Sequence, residues 1–238
     1  MCIRDRQNTD ATASVSCTDA LSGCDSATYK LKTYTSNPGT CSTTYTDYTL
    51  TPPQTISSHL WVCGAAKDLA GNAGFSSPVE FKVDKTSPTV SVTGAPVGWQ
   101  NTDATASVSC TDANSGCDAT TYKLKTYTTN PGTCSTNYAD YILASPQTVS
   151  SHSWVCGAAK DNVGNTGFST PVEFKVDKIR PVSQITAPSA GSTQTADFNV
   201  TISDTDTGGS SLNPNACYYR TYDSEIGYTR AWTLRTCN

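Results

Sequence analysis

Histidine and methionine are nearly missing from this chain: two His and one Met in 238 residues leave little for chemistry that depends on imidazole. Cysteine is plentiful, at 11, yet no two stand as C-x2-C and only two His are available to join them, so disulfides are a better reading than zinc. Positive charge is short as well. Sixteen Lys and Arg face 20 Asp and Glu, for a net charge of −4 and a pI near 5.0, which argues against a nucleic acid or an anionic lipid surface as partner. No stretch approaches the ~18 consecutive apolar residues of a membrane helix, so no membrane insertion is expected in this segment. There is no G-x-S-x-G, no HExxH and no phosphate-cradling Gly loop. Each repeat described below has a single His, His59 or His152, which reads as a solvated turn residue beside a Ser-Ser pair. The chain is not expected to be an enzyme.

The cysteines that are present point to disulfides made in an oxidising compartment, hence to an extracellular or cell-surface protein. Self-similarity then sets the organisation. Residues 7–85 align with 100–178 at a constant offset of 93 without a gap, and 64 of the 79 positions are identical. A third, diverged unit begins near Ile179 and continues through Tyr218–Tyr222, and the chain ends inside it. The expected domains are therefore 1–85, 86–178 and 179–238. Met1-Cys-Ile-Arg-Asp-Arg6 has no counterpart in the repeat and resembles a translated sequencing-adapter end, so residues 1–6 are expected to be artefactual and the first unit to lack its opening strand.

Within each repeat the hydrophobic period is two. Ala11, Ala13, Val15 and Cys17 alternate with Thr12, Ser14 and Ser16, and Val79, Phe81 and Val83 alternate with Glu80, Lys82 and Asp84. Turn signals such as Ser22-Gly23, Asn37-Pro-Gly39 and Gly71-Asn72 separate these runs. No window carries an amphipathic helical stripe. About seven short strands per unit predict an all-β chain of tandem immunoglobulin-like β-sandwiches. In the second unit the strands are expected at 88–93, 104–110, 121–127, 138–150, 153–160 and 171–177. The copies also differ informatively: Leu60 is matched by Ser153 beside the invariant pair Trp61 and Cys63. That exchange predicts a wet face at Leu60, with Trp61, Cys63 and Ala65 pointing inward.

Three segments in order, Cys17-Thr-Asp-Ala-Leu-Ser-Gly-Cys24, Lys67-Asp-Leu-Ala-Gly-Asn72 and Phe81-Lys-Val-Asp-Lys-Thr-Ser-Pro88, resemble the repeating signatures of bacterial Ig-like extracellular domains. Such arrays occur in large surface proteins and as accessory modules of secreted enzymes. In similar domains that carry only the first pair of cysteines, those two have only each other, and the resemblance implies Cys17–Cys24 and Cys110–Cys117 here. Four cysteines per unit allow three connectivities. Cys17–Cys24 with Cys41–Cys63 is preferred, and with it Cys110–Cys117 and Cys134–Cys156. The rival joins Cys17 to Cys63 and Cys24 to Cys41, imitating the bridge between sheets of antibody domains. The partner of Cys237 is left open.

Two ligand sites come into question. Tyr34, Tyr45 and Tyr48, with their copies Tyr127, Tyr138 and Tyr141, could form an exposed platform that stacks on sugar rings, although Tyr also fills sandwich strands. In an Ig-like sandwich the B–C loop, the F–G loop and the entry to strand A share one end, so Asp112, Asp118 and Asp161 should gather near Asp84. Oxygen ligands there could hold Ca2+, although Asp in turns most often caps its own backbone. The reading that follows is a non-catalytic structural or adhesion module of a secreted or surface-anchored bacterial protein, a stalk or an array presenting a protein or glycan ligand. The alternative is a carbohydrate-binding accessory segment of a secreted hydrolase.

Overall fold

A computed structural model describes residues 6–196, 198–223, 228–229 and 231–235. Among the described residues there are only short strands and two single 3-10 turns. The protein is all-β, as the period-two pattern requires. The first repeat runs β1 (Ala11–Ala13), β2 (Cys24–Tyr34), a 3-10 turn at Tyr45–Asp47, β3 (Gln54–Ile56), β4 (Leu60–Asp68), β5 (Ala73–Phe75) and β6 (Val79–Phe81). β1 pairs antiparallel with β3, Ala11 opposite Ile56. β2, β4 and β5 make the second sheet in that order, with β6 also on β4. Ala11, Ala13 and Ile56 from the first sheet meet Leu31 and Val62 from the second, with Val83 beside them. That layer is the core of a β-sandwich.

The second repeat reproduces this plan and adds an edge strand to each sheet. It runs β7 (Thr89–Thr93), β8 (Ala104–Thr111), β9 (Cys117–Tyr127), a 3-10 turn at Tyr138–Asp140, β10 (Leu143–Ala144), β11 (Gln147–Val149), β12 (Ser153–Asp161), β13 (Thr166–Phe168) and β14 (Val172–Phe174). One sheet has the order β11-β8-β7 and the other β10-β9-β12-β13, with β14 on β12. β7 buries Val90 and Val92 and exposes Thr89, Ser91 and Thr93, the alternation of a half-buried strand. Gly94 ends it with φ 90°, where a Cβ would stand 1.9 Å from Thr105 O, so no other residue fits. The span 138–150, expected as one strand region, is a turn followed by two short strands on different sheets.

Further along, β15 (Val182–Ala187) pairs with β16 (Thr201–Thr205), and three residues at Cys217–Tyr219 (β17) pair with a last strand at Thr233–Arg235. Asp204 is buried there and meets Arg235. Residues of the chain group into two compact units, one of Met1–Val90, Cys110–Tyr122 and Ala158–Phe168, the other of Ser91–Ser109, Lys123–Gly157 and Ser169–Asn238.

Four disulfides join pairs of described residues: Cys17–Cys24, Cys41–Cys63, Cys110–Cys117 and Cys134–Cys156, with Cα–Cα distances of 6.1, 5.8, 6.2 and 5.8 Å. Cys17 is therefore not joined to Cys63. Cys217 is also disulfide-bonded. Cys2 and Cys237 lie outside the described residues.

The expectation for β4 needs correction. Cys63 and Ala65 are buried, but against Tyr48, Tyr34, Cys41, Tyr45 and Phe75 rather than in the layer between the sheets. That layer is met by the opposite face, through Val62 and through Leu60, which packs against the core and is not on a wet face. β4 is covered on both sides. The loop carrying Cys41 and Tyr48 folds over its outer surface, and the Cys41–Cys63 bond pins it there. The Leu60-to-Ser153 exchange is tolerated because both positions open their strands and are only half buried.

Candidate functional site

Three aspartates from distant parts of the sequence meet in the first compact unit. One oxygen from each of Asp84, Asp112 and Asp161 lies within 4.8 Å of the others. Asp84 follows a parallel bridge in which Gln7 N–H donates to Lys82 O and Asp84 N–H donates back to Gln7 O at 2.8 Å, fixing the backbone as it leaves the sandwich. Its Oδ1 accepts from Thr86 N–H at 3.0 Å and lies 3.5 Å from Asn114 Nδ2. Its Oδ2 is buried and has no hydrogen-bond partner among the described residues. The whole residue is 2% exposed.

The other two carboxylates are held by their own turns. Asp112 opens the loop after β8 and accepts through Oδ1 from the N–H groups of Asn114, Ser115 and Gly116 at 3.1, 2.8 and 2.8 Å. Gly116 makes this turn possible with φ 76°. Asp161, the last residue of β12, accepts through Oδ1 from Val163 and Asn165 N–H and through Oδ2 from Asn165 Nδ2. Asn165 Nδ2 also donates to Asp84 O at 3.0 Å, tying the β12–β13 hairpin to the Asp84 backbone. None of the three carboxylates forms an ion pair among the described residues.

Two unit charges about 4.8 Å apart repel by roughly 3.5 kcal/mol at an effective dielectric near 20. Burial works against ionisation of Asp84, but its polar neighbours, Ser115 first and then Thr86 N–H and Asn114, hold its carboxyl below the ordinary Asp range. The arrangement concentrates negative charge, and no ion pair among the described residues offsets it. Asp118, expected in the same group, stands apart from it. Its carboxylate accepts from Thr120 hydroxyl and N–H at 2.7 and 3.0 Å, which lowers its pKa.

The first repeat supplies an internal comparison. Asp19 and Asp68 occupy the places of Asp112 and Asp161 and make the same turns. No third carboxylate joins them among the described residues. Where the first repeat has Leu21 and Leu69, 99% and 69% exposed, the second has Asn114 and Asn162, whose side chains contact Asp84 and Ser115 O. These Asn residues were the missed signal: apolar-to-amide differences between otherwise matched copies, concentrated at one loop cluster.

The tyrosines do not form the expected exposed platform. Tyr48 and Tyr141 are 3% and 1% exposed, and their hydroxyls donate to Ser42 O and Ser135 O at 2.6 Å. Tyr45 donates to Thr28 O. Tyr34, Tyr45, Tyr127 and Tyr138 are half buried, and Lys32, Lys67, Lys125 and Lys123 respectively lie over their rings at 4.6–5.3 Å. Cation–π contacts thus take up the faces a sugar would need. The histidines differ from expectation too. His59 and His152 each reach a glutamate, Glu80 and Glu173, at 2.9 Å, and Trp99 lies against His152 with ring centroids 4.8 Å apart. Comparison with known protein families and with curated proteins finds no match for this chain.

Proposed function

We propose that this chain is a non-catalytic structural or adhesion segment of a secreted or surface-anchored bacterial protein, serving as a stalk or as an array that presents a ligand. The observation that carries this reading is the use of near-identical small sandwiches, each stapled twice, in which Tyr48 and Tyr141 are buried and the other four candidate tyrosines are covered by lysines. Small residues take many of the buried positions of the first repeat, among them Ala11, Ala13, Ala65 and Ala66. Covalent staples substitute for apolar bulk in such a domain. The carbohydrate reading loses support with Tyr48 and Tyr141 buried.

Pulling the whole chain between its ends, oxidised and then reduced, tests the proposal. Oxidised, each repeat should unfold at a distinct force peak, with the 22-residue loop between Cys41 and Cys63 hidden from extension. Reduction should release about 75 Å of extra length per such loop. Extension without force peaks would rule out a stalk. A glycan array on the same protein addresses the alternative: a reproducible hit lost in Tyr127→Ala would favour it.

A further inference from the structure

We propose that Asp84, Asp112 and Asp161 form a binding site for a hard divalent cation, calcium foremost. Acidic turn residues alone would not justify this, since each carboxylate could simply organise its own loop. Asp84 Oδ2 is the decisive atom. It is buried, it has no donor among the described residues, and it belongs to a carboxylate grouped with two others. A buried carboxylate oxygen without a donor is strongly disfavoured unless a cation satisfies it.

Size and chemistry then select the ion. Two oxygens bound to one calcium ion, at about 2.3–2.6 Å each, lie at most about 5 Å apart, whereas on magnesium the limit is about 4.2 Å. The three carboxylate oxygens lie within 4.8 Å of one another, inside the span of a calcium shell, and calcium gives up its water more readily than magnesium. All three ligands are oxygen, with no His or Cys among them, which is the donor set of a hard cation. Asp112 and Asp161 are already fixed by backbone N–H groups, so binding needs little reordering of those side chains. The Asn114 amide, 3.5 Å from Asp84 Oδ1, would offer its oxygen to the same place after a half turn. Water would complete the shell. This inference goes beyond the structural reading above and does not depend on it.

The test is calcium titration of the chelator-treated whole chain by calorimetry, with thermal melts alongside. One calcium ion should bind per chain, magnesium should bind more weakly, and the melting temperature should rise with calcium by mass action. Asp84→Asn and Asp161→Asn should each weaken binding by about tenfold or more, because a neutral amide replaces a charged ligand. Asp68→Asn, at the matching position of the first repeat, should bind as the parent does. Circular dichroism of each variant without calcium checks that it folds, and Asp112→Asn, at a less buried site, serves if Asp84→Asn does not. No binding to the parent chain at millimolar calcium overturns the proposal. So does binding left unchanged by a folded Asp84→Asn or Asp112→Asn, or weakened equally by Asp68→Asn.

Discussion

Tyr141 combines a buried ring with a hydroxyl that reaches back to Ser135 O, the carbonyl six residues before it. Burial foremost, helped by nearby Tyr127 and Asp140, pushes its pKa up to about 12 from 10.0. A raised folded pKa means the neutral form is favoured by folding, so this contribution is complete below pH 10.0 and lost as pH climbs toward about 12. Tyr141→Phe keeps the ring and should cost about 1 kcal/mol at neutral pH through the lost hydrogen bond. It should also make the alkaline loss of stability shallower, since Tyr48, raised by burial too, remains. Urea melts at neutral and alkaline pH measure both effects, and an unchanged pH slope would contradict the assignment. That these positions are aromatic is plain in the sequence. Their burial is not, because it depends on a loop folding back over a strand it does not pair with.

At the scale of elements, β4 shows how period-two reading reaches its limit. Alternation identifies the two faces of a strand but does not say which is covered when both are. Leu60 stands opposite Phe81 on β6, and Ser153 opposite Phe174 on β14, so the position adjoins a core aromatic in each repeat. Leu60→Ser should therefore destabilise by about 1–2 kcal/mol and Ser153→Leu should stabilise by about 1 kcal/mol, where a solvent-facing site would show neither. Calorimetric melts of the two variants decide it. The opening strand tells a similar story. In the second repeat β7 lies beside β8, and Val92 sits close over Gly157, while in the first repeat β1 pairs only with β3 and a groove of 640 Å³ runs past Ala13, Val15, Gly64 and Phe81. A synthetic peptide of residues 86–96 should seat in that groove as an added strand and raise the melting temperature. If amide chemical shifts along β1 do not move with added peptide, the groove is not a strand seat.

For the molecule as a whole, repetition was the most legible feature, since a constant offset of 93 over 79 positions shows duplication without any structural assumption. The disulfide network was legible only as a short set of alternatives: spacing limits the pairings, and only the fold brings Cys41 beside Cys63. The acidic group was accessible through the shared end of an Ig-like sandwich, but the roles of its members were not. Asp118 follows the same loop logic as Asp112 and yet turns to its own Thr120. The staples carry the last prediction. Chain-entropy arithmetic assigns about 2.5 kcal/mol to the Cys17–Cys24 loop and about 3.4 kcal/mol to the longer Cys41–Cys63 loop. Packing adds to the same order. Cys63 is fully buried under the loop that Cys41 anchors, so cutting that bond also releases the cover over Ala65 and Tyr48, whereas Cys17–Cys24 joins a partly exposed turn. Replacing Cys41 and Cys63 together with Ser should therefore lower stability more than replacing Cys17 and Cys24 together. Scanning calorimetry of the two double variants, with thiol titration to verify that the remaining pairs stay oxidised, tests the order. Equal losses would mean that the loop's packing contributes nothing beyond chain entropy, and a larger loss from the Cys17 pair would overturn the account of β4 as a strand covered on both faces.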